Sequence, residues 1–265
     1  MTSATGQGLM IEQLATGDAD PVLVADFPTG SAAPRISDLL SVQARGRSVY
    51  RIDPLAALSG DRPYIPLSQL ATGYADAFAS SDPADGHVYV VGHCSCAGLS
   101  LRITGLLAAS RQVSAVLLLP TWPGTDDVAE KFAEFQANLG AALQPCPDLD
   151  PGPDGSISRM EHILRDQMAA AADSRGLPAS TDAFLGLLVW YRAWLAFLLA
   201  CRDDPPIALA AGSATVTVLT SSPADIRVPG MEPGSYRICP APAPERPDEA
   251  TADLAQFALT QISGG

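Results

Sequence analysis

Lysine is almost missing from this chain. Lys131 stands alone beside 15 arginines, and 29 acidic residues bring the formal net charge to −13. A surface so anionic is repelled by nucleic-acid phosphates and by anionic lipid headgroups, so neither is expected as a partner. Histidine is scarce as well: His87, His93 and His162 are all there is. Any chemistry that needs an imidazole must find it at one of these three places. The five cysteines, at 94, 96, 146, 201 and 239, are odd in number and scattered. They do not make a disulfide framework, and they fit a reducing cytoplasm. Cys94-x-Cys96 has no second cysteine pair and no histidine at zinc-site spacing, so no metal is expected. No glycine-rich nucleotide motif and no internal repeat is visible, and no cofactor is expected. The opening Met1-Thr-Ser-Ala-Thr-Gly-Gln-Gly lacks a basic start followed by an apolar run, so no secretory signal is expected.

What is present points to a folded α/β chain. Hydrophobic residues make up 47% of 265, enough for one domain with a sizeable core. Residues 1–19 read as a polar lead-in. Residues 20–123 alternate strand-like and helix-like segments, the pattern of a mostly parallel sheet with helices on both faces. The rhythm then changes. Residues 126–143 place Val128, Phe132, Phe135, Leu139 and Leu143 at helical spacing. A breaker-rich loop follows at 145–155, then a second helical pattern at 156–172. Ser180-Thr181-Asp182 offers N-caps for a third helix, 183–201, which is apolar almost throughout. That run is long enough to raise the question of a membrane span. Arg192 in its middle, which would cost about 2.5–3.5 kcal/mol in a bilayer, argues for a buried helix instead. Residues 215–220 read as a further core strand, and 252–262 as a closing helix.

The most informative segment is Gly92-His93-Cys94-Ser95-Cys96-Ala97-Gly98. It follows the β-branched run His87-Val88-Tyr89-Val90-Val91 and precedes the helix-like 99–107. Strand, sharp turn and helix form the setting of a nucleophile elbow, with Cys94 in the reactive place and Cys96 where a glycine is usual. Cys94 is the expected nucleophile; Cys96, which starts the helix, is the fallback.

Gly-His-Cys-x-x-Ala resembles the Gly-His-Ser-x-Gly-Gly/Ala elbow of the thioesterases that serve polyketide and nonribosomal peptide synthesis. Pro21-Val-Leu-Val-Ala-Asp-Phe-Pro-Thr-Gly30 is similar to that family's first ordered strand and oxyanion loop, with Phe27 in place of a histidine. Val49-Tyr50-Arg51-Ile52-Asp53-Pro54 is similar to the next strand, 67–77 to the helix before the elbow, and Ala115-Val-Leu-Leu-Leu-Pro-Thr-Trp-Pro123 to the strand and turn after it. The match runs through about residues 20–125 and is loose beyond. The resemblance implies a single α/β-hydrolase domain over 1–265 with a mostly parallel central sheet and a helical lid inserted at about 125–205. It implies acyl handling through Cys94, with an oxyanion hole from the backbone of Ser95 and Thr29. It implies an acyl carrier protein or coenzyme A thioester as substrate, although an acidic carrier suits this anionic chain only if the arginines gather on one face.

Two of the family's catalytic groups are missing. The stretch that would carry the base, Tyr236 to Pro247, holds no histidine, and Pro120 stands where the acid would be. His162 in the lid and His93 in the elbow are the remaining bases to weigh. Asp126 and Asp225 are the remaining acids, each also suited to a surface or capping role. Three readings stay open: acyl transfer, cyclisation or release through Cys94; a non-hydrolytic cyclase that uses the acyl cavity without a covalent intermediate; or an inactive binder of a carrier protein.

Overall fold

Strands rich in Val and Leu build the frame. The computed structural model describes residues 9–28, 34–43, 46–83, 85–150, 152–174, 176, 182–204, 209, 213–241 and 250–263. Seven strands lie in one sheet in the order β1-β3-β2-β4-β5-β6-β7. They are β1 (Glu12–Ala15), β2 (Ala19–Ala25), β3 (Arg47–Ile52), β4 (Val88–His93), β5 (Val113–Leu118), β6 (Thr215–Thr220) and β7 (Arg237–Pro240). All neighbours are parallel except β1, which runs antiparallel to β3 at the sheet edge. The expectation of a mostly parallel α/β sheet holds.

Alternation along the strands sends side chains to two covered faces. Val116 and Leu118 of β5 join Val22, Val24, Val91 and Leu219 in one core cluster. Helices α1 (Ile36–Gln43) and α8 (Ala250–Ser263) close it, contributing Ile36 and Leu40, and Leu254, Ala258 and Ile262. Ala115 and Leu117 point the other way, with Val216 and Val218, against Ala97 and Leu101 of helix α4 (Ala97–Leu107). Helix α3 (Leu67–Ser81) contributes Phe78, which meets Tyr50 of β3 edge-on with ring centroids 5.3 Å apart.

The chain divides into two compact units. The sheet and its helices occupy 1–54, 68–122 and 205–265; the second unit combines 55–67 with 123–204. The second unit is helical, with most of α2 (Pro54–Leu58), then α5 (Thr125–Asn138), α6 (Pro153–Ser174) and α7 (Asp182–Asp203). Its aromatic residues pack on one another: Phe135 stacks on Tyr191 at 3.9 Å, and Trp190 meets Trp194 edge-on at 4.9 Å. Helix α7 is long and apolar enough to cross a membrane, but 61% of its apolar window is buried here. The Arg192 guanidinium donates to the carbonyls of Ser59 and Gly60 at 3.2 and 2.8 Å, which gives its charge polar partners within the unit.

Several details depart from the sequence reading. Part of the polar lead-in is strand β1, held by an ion pair from Arg51 to Glu12 on its partner rung. Helix α5 stops at Asn138, not at 143. Gly140 takes φ +69° just past its end, the left-handed conformation that closes a helix, and Leu143 is left 63% exposed. Helix α6 starts earlier than expected because Pro153, whose missing N–H costs nothing in a first turn, begins it. Short strand β7 lies inside residues 222–250, which are rich in proline.

Candidate active site

The elbow stands at the C-terminal edge of the sheet, between β4 and α4. Two glycine-dependent features make it. A Cβ at Gly92 would lie 2.5 Å from Ser100 Oγ and 3.2 Å from Ala97 Cα, so strand and helix can pass this closely only at a glycine. Cys94 then turns the chain with φ +53°, a left-handed conformation that costs a residue with a Cβ roughly 1–2 kcal/mol. A short 3-10 turn, Cys94–Cys96, leads into α4. Ser95 and Cys96 are buried beneath it, whereas Cys94 is partly exposed. The fallback nucleophile Cys96 is fully enclosed.

The neighbouring strand supplies what touches Cys94. β5 pairs with β4 up to the rung His93–Leu118. Leu119 then adopts φ +45°, while its N–H donates to the Leu219 carbonyl at 2.8 Å. Pro120 follows, and the chain swings back across the elbow. There the Thr121 N–H donates to the Cys94 carbonyl at 3.3 Å, and the Thr121 hydroxyl lies 3.6 Å from Cys94 Sγ. Sequence reasoning assigned Thr121 no role. Its only sequence signal is a hydroxyl residue one place beyond the proline that replaces the acid.

The other expected groups are placed as follows. Thr29 lies outside the described residues. His93, the last residue of β4, falls by strand alternation on the face of Val91, and burial pushes its imidazole below the ordinary histidine value. His162 is on the solvent face of α6, 71% exposed, with Nε2 3.4 Å from Asp166. Asp126 is exposed in the first turn of α5, and its neighbour Asp127 accepts from the Gly124 N–H at 2.7 Å as a cap. Asp225 is exposed in the turn after β6, where its N–H donates to Ser222. His87 sits at the opposite end of β4 and bonds Ser114 Oγ at 2.9 Å. Among the described residues, no imidazole and no carboxylate is hydrogen-bonded to Cys94, and no three His, Cys, Asp or Glu side chains cluster as metal ligands.

One ionisable group near this edge was not anticipated. Asp26 follows β2, whose last residue Ala25 pairs with Gly92. Its carboxylate accepts from the Ser37 N–H at 2.8 Å and the Ser37 hydroxyl at 3.0 Å, so it anchors the first turn of α1. It is 2% exposed, and burial pushes its pKa up to about 6 against the opposing pull of Ser37, Arg35 and Arg51.

No protein-family model matches the chain, and no curated protein matches it in sequence. Solved structures match it in fold. The NocB thioesterase domain, solved as a covalent complex with a fluorophosphonate nocardicin G analog, is 20% identical, with 97% of this chain and 100% of that one covered and a TM-score of 0.54. This chain has the α/β-hydrolase fold. A putative alpha/beta hydrolase family protein from Desulfitobacterium hafniense covers 96% of it at 11% identity and a TM-score of 0.53, with 99% of that chain covered. A four-domain nonribosomal peptide synthetase bound to AMP and glycine aligns with 96% of it at 14% identity and a TM-score of 0.60. The chain spans about one-fifth, 20%, of that synthetase's length. In an α/β-hydrolase fold the sharp turn between a central strand and its helix is the place of the elbow, and here the residue on that turn is Cys94.

Proposed function

We propose that this protein is a thioesterase-like acyl-handling enzyme of peptide or polyketide biosynthesis that uses Cys94 as its nucleophile. The observation that carries the proposal is Cys94 itself, a partly exposed residue held at φ +53° between β4 and α4. The fold it shares with the NocB thioesterase domain, and with SrfTE, described as the thioesterase domain that cyclizes the lipopeptide antibiotic surfactin, supports the substrate class. In this reading the Cys94 thiolate adds to the carbonyl carbon of a carrier-protein or coenzyme A thioester. The carrier thiolate leaves, and the acyl group remains on Sγ. One thioester replaces another, so the step demands little driving force.

Departure of the acyl group is the demanding half. General-base catalysis typically contributes about 10²–10⁴-fold, and attack by water relies on it most. Among the described residues no imidazole is bonded to Cys94, so slow hydrolysis is expected. A nucleophile held beside the acyl group recovers much of that deficit through effective molarity. Transfer or cyclisation is therefore the expected outcome, in a reducing cytoplasm. The same contact pattern, a hydroxyl and no imidazole at Cys94, favours as second reading a cyclase without a covalent intermediate or an inactive carrier-protein binder.

Incubation with an acyl thioester followed by peptide-resolved mass spectrometry separates these. An acyl adduct on Cys94, absent in Cys94→Ala, supports the first reading. Unchanged product formation by a folded Cys94→Ala variant overturns it.

A further inference from the structure

We infer that Thr121 is the positioning residue of Cys94: its hydroxyl orients the sulfur and donates a hydrogen bond to it whenever it is anionic. This rests on the reading of Cys94 as the nucleophile and extends it. Two independent contacts tie Thr121 to the elbow, one through each part of the residue. Its backbone N–H donates to the Cys94 carbonyl at 3.3 Å, which fixes where the residue sits. Its hydroxyl lies 3.6 Å from Cys94 Sγ, within hydrogen-bond reach for a sulfur partner. The chain is brought there by the positive φ of Leu119 and by the bond from Leu119 N–H to Leu219, so the approach is set by β5 and β6 and not by a free loop.

The direction of that bond depends on the state of the sulfur. While Cys94 is a thiol, either group can donate. Once it is a thiolate it has no proton to give, and only the Thr121 O–H can donate. The hydroxyl then stabilises charge on sulfur at two points in one cycle: in the thiolate that must be present before attack on the incoming thioester, and in the thiolate expelled from the acyl-enzyme. No proton changes hands in either step. Hydrogen bonds to an ion are roughly twice as strong as neutral ones, so the contribution is largest where charge is greatest. An exposed Thr121, open to water, tempers it to about tenfold in rate.

The test pairs Thr121→Val, which keeps the branched shape and removes the hydroxyl, with Thr121→Ser, which keeps the hydroxyl and removes the methyl. Alkylation of Cys94 by a neutral reagent, chloroacetamide, is followed at pH 6.5, well below the ordinary thiol value of about 8.5, by peptide-resolved mass spectrometry. Folding is checked by circular dichroism. We expect Thr121→Val to slow alkylation of Cys94 about tenfold and Thr121→Ser to restore it to within about twofold. Equal rates in all three proteins overturn the inference, as does a Thr121→Ser rate as slow as that of Thr121→Val, which would assign the effect to shape. Alkylation needs no acyl substrate, so the two proposals can fail separately. A wild-type protein that shows the alkylation effect but never acquires an acyl adduct loses the proposed function and keeps Thr121's role. Acylation of Cys94 at the same rate in Thr121→Val does the reverse.

Discussion

Replacing Asp26 by Asn should make the protein more stable at neutral pH and change little at acid pH. Asp26 is 2% exposed, and its pKa is pushed up to about 6 from an ordinary value of 3.8. The folded state thus holds a proton that the unfolded state has released between those two values. Stability from this group is fully present below pH 3.8 and is lost as pH rises through about 6. At 1.36 kcal/mol per unit, the whole loss is about 3 kcal/mol, of which about 2 kcal/mol falls between pH 4.5 and 7.5. Asparagine is neutral throughout. Its side-chain oxygen can still accept from the Ser37 N–H, the bond that anchors α1 at 2.8 Å. The assay is urea unfolding of wild type and Asp26→Asn side by side, followed by far-ultraviolet circular dichroism at pH 4.5, 6 and 7.5. The difference between the two proteins cancels the other carboxylates. It should grow in the variant's favour by about 2 kcal/mol across that range. A difference that stays flat with pH, or that turns against the variant as pH rises, refutes the ionisation argument. Ser37, Arg35 and Arg51 would then outweigh burial.

Two other substitutions test different links. Cys94→Gly should lose acylation yet unfold about 1 kcal/mol less readily than Cys94→Ala, because glycine alone adopts φ +53° without strain; thermal denaturation of the two variants measures it. Gln136→Leu should destabilise the helical unit by about 1–2 kcal/mol, since the buried Gln136 amide donates to the Gln144 carbonyl and accepts from Gln144 N–H and from Gln167, and leucine removes those bonds while Gln167 keeps its bond to the Ala142 carbonyl; urea unfolding followed by tryptophan fluorescence reports it, Trp190 and Trp194 lying in that unit.

The elbow was legible because everything that makes it is local. The apolar β4 run, Gly92, Cys94 and the first turn of α4 are consecutive, so spacing alone predicts strand, turn and helix. The two-faced sheet was legible for the same reason, through the apolar, Val-rich runs in β2, β4 and β5. Strand β1 was not, because Glu12–Ala15 has neither length nor alternation. It becomes a strand through pairing with β3 and the Arg51 ion pair. Thr121 was illegible for a related reason. Its contact with Cys94 spans 27 residues and depends on the unusual φ of Leu119, which no propensity scale assigns to a leucine. The raised pKa of Asp26 is a property of its burial, and a sequence shows the carboxyl group but not how far water is kept from it.

The position of α8 in the chain has a consequence for biosynthesis. Val22, Val24, Val91 and Val116 share one face of the sheet, and α8 supplies Leu254, Ala258 and Ile262 to the cluster that covers it. On a ribosome adding about 5–20 residues per second, the stretch from Val116 to Ile262 takes roughly 7–30 s to appear. Through that interval the nascent sheet lacks α8, and among the described residues α1 is the other helix that contributes to the cover of this apolar face. That is the kind of surface that trigger-type chaperones hold and that nascent chains use to find one another. Production of this protein at high ribosome density is therefore expected to lose yield to encounters between half-made sheets, and fewer ribosomes per message, which space those encounters apart, are expected to raise the soluble fraction.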